Sequence, residues 1–219
     1  MTKLTVVTGA AGNLGHAVAL HLGSIGHKVI GMDRAQKAAE GFPGAFMGGV
    51  DLTDEHSAAE AFAQVGQPIT GLANIAGGFA WETIADGSVE SWDRLYTMNV
   101  KTALVASRVV LPLMSAGGSI VNVGAAATLK AAAGMGAYTA SKSGVARLTE
   151  ALAEEHKGAI RVNAVLPSII DTPNNRADMG EDDAAKWVSP LELAKVIAFL
   201  LSDDASAVTG ASLAVTGRV

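Results

Sequence analysis

Short apolar, β-branched runs alternate along this chain with longer stretches whose apolar residues recur three and four apart, so strands are expected to alternate with helices. The strand-like runs fall at residues 3–8, 28–32, 45–49, 69–74, 118–123, 159–166 and 212–215. The helical ones fall at 13–26, 53–66, 88–115, 137–156 and 189–202, with a weaker helical turn from Arg34 to Ala39. Runs such as LTVVT and SIVNV are apolar almost throughout, as strands buried on both faces are. The alternation predicts an α/β fold, a doubly wound parallel sheet of about seven strands with helices on both faces. Right-handed crossovers then bring the carboxyl ends of the strands to one edge, where open sheets of this kind bind their ligands. The connection from Pro167 to Val188 is rich in Pro, Asp, Asn and Gly, and residues 167–188 are a candidate lid beside that edge. Without a linker, composition shift or repeat, residues 1–219 read as a single domain.

Composition narrows the classes of function. With 49 % hydrophobic and 17 % charged residues the chain is a folded protein, and its formal net charge of -5, with scattered Lys and Arg, offers no basic stripe for nucleic acid. Cysteine is absent, which excludes disulfides and thiolate metal sites, and the five histidines show no ligand spacing with carboxylates, so no metal is expected. No run approaches the roughly 18 apolar residues of a membrane span, since Ser107 and Arg108 break TALVASRVVLPLM. The opening MTKLTVVTGAAG lacks a charged-then-apolar leader, so a cytoplasmic location and a small-molecule partner are expected.

The first strand runs into TGAAGNLG, with Gly9, Gly12 and Gly15 between strand and helix. Glycine there permits a tight turn and lets backbone N–H groups reach a pyrophosphate at the helix N-terminus. The second strand ends in Asp33, where a carboxylate can accept hydrogen bonds from an adenosine ribose and repel a 2′-phosphate. NAD(H) is therefore favoured, while Arg34, which could pair with such a phosphate, keeps NADP(H) open. After the third strand, Asp51 suits either an adenine amino group or a cap formed with Thr53. The small residues Ala76, Gly77 and Gly78 after the fourth strand allow a cofactor close to the strand end.

The stretch GAAATLKAAAGMGAYTASK ends in a tyrosine and a lysine four apart. On one helix face the Lys142 ammonium can sit beside the Tyr138 phenol and lower a pKa that is normally about 10. A tyrosine tuned that way is a general acid for carbonyl or imine reduction.

These motifs, in this order, resemble the short-chain dehydrogenase/reductase family over essentially the whole chain: TGAAGNLG, Asp33, NIAGG, Asn99 in MNVKT, YTASK and VLPSIIDTP. The resemblance implies a Rossmann-like single domain and hydride transfer from a nicotinamide cofactor to a carbonyl or imine, with Tyr138 as proton donor and Lys142 as its partner. Asn99 would bend its helix and hold a water of the proton relay. Cofactor contacts are implied for Gly9, Gly12, Asn13, Leu14, Gly15, Asp33, Arg34, Asp51, Leu52, Asn74, Ala76, Gly77, Tyr138, Lys142, Pro167, Ile170 and Thr172. A homodimer or homotetramer is implied as well.

Two departures stand out. The family's usual serine at the end of the fifth strand is replaced by Ala125, with only Thr128 nearby to offer a hydroxyl, and the usual Asn-Asn pair reads Asn74-Ile75. Both resemble the branch typified by dihydropteridine reductase, whose substrate is a reactive imine; the general pattern around Asn99 leaves the substrate open. A non-catalytic NAD-sensing protein is the alternative of another class. Aromatics are scarce, and Phe79, Trp81 and Trp187 lie in loops leaving the ligand edge, where Trp81, Trp187 and Ala125 are candidate substrate contacts.

Overall fold

The computed structural model describes residues 2–219. Seven parallel strands form one sheet in the order β3-β2-β1-β4-β5-β6-β7. They are β1 (Leu4–Thr8), β2 (Lys28–Met32), β3 (Ala45–Met47), β4 (Ile69–Asn74), β5 (Met114–Val123), β6 (Arg161–Pro167) and β7 (Ser212–Val215). Alternation along β1 sends Val6 into one apolar layer and Val7 into the other. The first layer lies under α2 (Glu55–Ala63), α4 (Thr102–Val110) and α5 (Gly136–Glu155), and the second under α1 (Asn13–Ser24) and α7 (Pro190–Leu201). The strand order reverses between β1 and β4, which opens a crevice at their carboxyl ends. Among the described residues no helix is long and apolar enough to cross a membrane.

Three expectations need correction. The long helix expected at 88–115 is three pieces: α3 (Val89–Tyr96), a π-helical turn (Thr97–Lys101) and α4, and Met114 already begins β5. Pro112 lies in a short 3-10 turn (Leu111–Leu113) that closes the helix. The Arg34–Ala39 helical turn does not form, because Asp33 Oδ1 takes the Ala35 N–H at 2.8 Å and folds the chain back on itself. The β2-to-β3 crossover is thus a loop, and Phe42 and Phe46 cover the sheet there, edge to face at 5.6 Å; a side chain at Gly31 would collide with the Phe42 ring. Finally, residues 167–188 contain a helix, α6 (Pro173–Met179), capped by the Thr172 hydroxyl, which accepts the Asn175 N–H.

Candidate active site

The glycine turn is shaped by contact as well as by conformation. Gly9 has φ +64°, and a Cβ on it would lie 2.7 Å from Ala76 N, so the turn after β1 lies directly against the chain leaving β4. A Cβ on Gly15 would collide with the Gly9 carbonyl. Thr8 ties the two strand ends together: its hydroxyl accepts the N–H of Ile75 at 3.1 Å and of Ala76 at 3.3 Å. No side chain caps α1 at Gly12, and its first turn carries no acidic residue, so the N–H groups of Asn13 and Leu14 face an open cradle that suits a pyrophosphate.

Asp33 spans the second strand end and the glycine turn, accepting the Ala11 N–H at 3.0 Å through Oδ2 as well as the Ala35 N–H. Arg34 beside it is exposed. Asp51 takes both the N–H and the hydroxyl of Thr53 on Oδ1, at 2.8 and 2.7 Å, and these bonds hold its carboxyl below the usual range. Of the two uses open to Asp51, the turn with Thr53 is the one formed. Leu52 is buried, which leaves only its backbone to meet a ligand.

The Asn74 amide nitrogen donates inward to Asn122 Oδ1 at 2.9 Å and Ser107 Oγ at 3.1 Å, and Asn122 in turn donates to Thr149 Oγ1 at 2.9 Å. The side chain therefore ties β4 and β5 to α4 and α5. Three and four residues on, at Gly77 and Gly78, the backbone runs against Asn99. Asn99, in the π turn, clamps Gly78 from both sides: its Oδ1 accepts the Gly78 N–H at 2.9 Å, and its Nδ2 donates to the Gly78 carbonyl at 3.1 Å. The same Nδ2 donates to Ser141 Oγ at 2.9 Å, and Ser141 donates to the Tyr138 carbonyl at 2.7 Å. A Cβ at Gly77 would stand 2.6 Å from Asn99 Oδ1 and 3.3 Å from Lys142 Nζ, so glycine is what lets these groups meet.

Lys142 is 6 % exposed and its ammonium donates to the Val123 carbonyl at 2.8 Å. Burial lowers its pKa to about 8, and burial pushes the Tyr138 phenol up to about 12. The expected depression of Tyr138 by Lys142 is thus not found, because the ammonium is turned to a backbone carbonyl and desolvation dominates at the phenol. Tyr138 instead packs edge-on against Phe79, ring centroids 4.9 Å apart.

On the substrate side Ala125 is 3 % exposed, and Thr128 spends its hydroxyl on the Ala125 carbonyl at 2.7 Å. Trp81 is exposed, with its indole N–H on the Ala133 carbonyl at 3.0 Å. Trp187 is 4 % exposed and presents no face to a substrate, so packing of its loop accounts for it. Pro167 is buried at the end of β6, and the Ile170 carbonyl accepts from Asn175 Nδ2 at 2.7 Å. Sequence reasoning missed Thr8 and Ser141, ordinary hydroxyl residues whose partners lie far along the chain.

Known proteins resemble this chain over nearly its whole length. Residues 3–183 match the family model described as short chain dehydrogenase. Relatives include the inactive 2-(S)-hydroxypropyl-CoM dehydrogenase 2 of Xanthobacter autotrophicus, 36 % identical over 88 % of this chain and 94 % of that one. The 3-oxoacyl-acyl-carrier-protein reductase of Thermotoga maritima is 33 % identical, over 98 % of this chain and 96 % of its own. Among solved structures, Thermoplasma acidophilum aldohexose dehydrogenase superposes with a TM-score of 0.89 at 28 % identity, covering 99 % of this chain and 93 % of that one. A glucose/ribitol dehydrogenase from Brucella melitensis gives 0.91 at 27 % identity, covering 98 % and 95 %.

Proposed function

This chain belongs to the short chain dehydrogenase family of oxidoreductases, and within it we propose an NADH-preferring reductase that delivers a hydride to a carbonyl or imine carbon while Tyr138 protonates the adjoining oxygen or nitrogen. The observation that carries the reading is the convergence of Asn99 and Lys142 on Gly77, with the same Asn99 amide tied through Ser141 to the backbone of Tyr138. Family members use NAD(P)(H); a bound nicotinamide supplies the hydride. The remaining work falls to this chain. Gly9, Gly12, Gly15 and the first turn of α1 receive the pyrophosphate, and Asp33 receives the adenosine ribose. Lys142 orients the nicotinamide ribose, and Asn99 steadies the backbone next to it and is read as holding a water of the relay that returns a proton to Tyr138. Asp33 at the ribose favours NADH over NADPH by like-charge repulsion, and Ile170 and Thr172 suit the carboxamide end.

Tyr138→Phe tests the reading. Turnover of NADH with an activated ketone or a quinonoid dihydropterin is expected to fall by about 10²–10⁴-fold, the worth of a general acid, while NADH binding, read by fluorescence, is kept. Full activity in that variant rejects Tyr138 as the donor. The buried methyl of Ala125 favours the narrower dihydropterin-type reading, because an imine that is readily protonated has less need of a polarising hydroxyl; turnover confined to ketones rejects it. Tight NADH binding without turnover on a broad carbonyl and pterin panel would instead favour a sensing role. Residues 167–188 are read as the lid over the substrate, and the assembly as a homodimer or homotetramer, which light scattering checks.

A further inference from the structure

Phe79 is 58 % exposed, yet it stands on backbone that is held tightly. Gly78 before it is bonded through both its N–H and its carbonyl to the Asn99 amide, and a side chain at Gly78 would collide with Met98 Sδ. That one amide also bonds Ser141, which bonds the Tyr138 backbone. The two ring-bearing stretches are therefore fixed to a common anchor, and their rings meet at 4.9 Å with 78° between planes, a favoured edge-to-face geometry. Where a hydroxyl partner for the phenol would be expected there is the methyl of Ala125, and the nearby Thr128 hydroxyl is spent on a carbonyl. The Phe79 ring is left to hold the phenol's direction, while Phe79 as a residue remains more than half exposed.

We propose that Phe79 is a positioning and selectivity residue for the reaction of this site: its ring holds the Tyr138 side chain in its reactive direction, and its exposed surface favours substrates with a flat, aromatic group next to the carbonyl or imine carbon. The inference rests on Tyr138 being the proton donor. A substrate ring stacked on Phe79 gains contact that an aliphatic chain of equal size does not, and loses it when the ring is removed. Removing the ring also admits water to the phenol, whose burial holds its pKa up at about 12.

Tyr96 and Tyr138 are the two tyrosines of the chain, so in a Tyr96→Phe background every tyrosinate signal belongs to Tyr138. At pH 11 about a tenth of Tyr138 is then ionised by absorbance, and Phe79→Ala is expected to raise that fraction severalfold. With NADH and an aryl ketone matched to an aliphatic ketone of equal size, Phe79→Ala is expected to lower kcat/KM for both, as the phenol loses its direction, and about tenfold further for the aryl substrate, with Phe79→Trp restoring both readouts. An unchanged ionised fraction overturns the positioning role, and an unchanged ratio of the two ketones overturns the selectivity. Loss of turnover in Tyr138→Phe with neither readout moved by Phe79→Ala rejects this inference alone, whereas full turnover in Tyr138→Phe rejects the reading on which it rests.

Discussion

Lys142 shows how a single residue can serve the site at a cost to the fold. Its ammonium is enclosed with the Val123 carbonyl as its hydrogen-bond acceptor, and burial draws its pKa from 10.5 to about 8. Between those two values the unfolded chain binds a proton that the folded chain has lost, so stability rises with pH across that window and is lowest below about pH 8. Tyr138 acts in the opposite sense at higher pH: its folded pKa is raised, so its contribution is present below about pH 10 and is lost on the way to pH 12. Guanidinium unfolding of the cofactor-free protein is expected to show a gain of about 1–2 kcal/mol from pH 7.5 to 9.5. In Lys142→Met the gain should flatten, and the variant should be the more stable protein at pH 7.5 although catalytically damaged; a gain that survives the substitution would assign it to another group.

Among the elements, the decisive one is the π turn at Thr97–Lys101, since turns of this kind commonly mark functional sites in helices. It breaks the run from α3 to α4 at the point where Asn99 has to reach Gly78 and Ser141 at once. Nothing in the period of SWDRLYTMNVKTAL signals it, because the stretch has neither Pro nor Gly and stays helical through the break; only the family resemblance implied a bend at Asn99, whose partners lie 21 and 42 positions away. The inner strands were legible, since their apolar runs are buried on both faces. Helix α6 could have been found from Thr172 before Pro173 and from Gly180 behind it, but its polar residues hide any apolar face. The glycine turn and the Tyr138–Lys142 pair were legible for a simpler reason: their spacing is local. The inward bonding of Asn74 was not legible because its partners, Asn122 and Ser107, come from other elements. That buried network couples β4, β5, α4 and α5, so Asn122→Ala, which removes one acceptor of the Asn74 amide and the donor to the Thr149 hydroxyl and leaves a cavity, is expected to cost about 1–3 kcal/mol in denaturant unfolding. A loss below about 0.5 kcal/mol would mean water replaces the amide there.

For the whole molecule, the crevice at the strand-order reversal lies between the halves of the sheet, so a ligand seated there contacts both and stabilises the domain as a unit. NADH at 100 times its Kd is expected to add about 2.7 kcal/mol and to raise Tm by about 5–10 °C, with a smaller shift for NADPH at equal concentration. Equal shifts would deny Asp33 its discriminating role. The two edges of the sheet are thinly covered. β1, β2, β4, β5 and β6 pack against helices, whereas β3, three residues long, follows a crossover with no helix, and its cover on that side is the Phe42 and Phe46 rings. A segment with so few packed contacts is a separate cooperative unit of low opening free energy. Amide hydrogen exchange is therefore expected to be fastest, among the strands, at residues 45–47, and to slow there on NADH binding, because Asp33 at the head of the crossover is the residue read as holding the adenosine ribose. The thin flank of the sheet would thus report cofactor occupancy as a change in local breathing, in a part of the protein that takes no share in the chemistry.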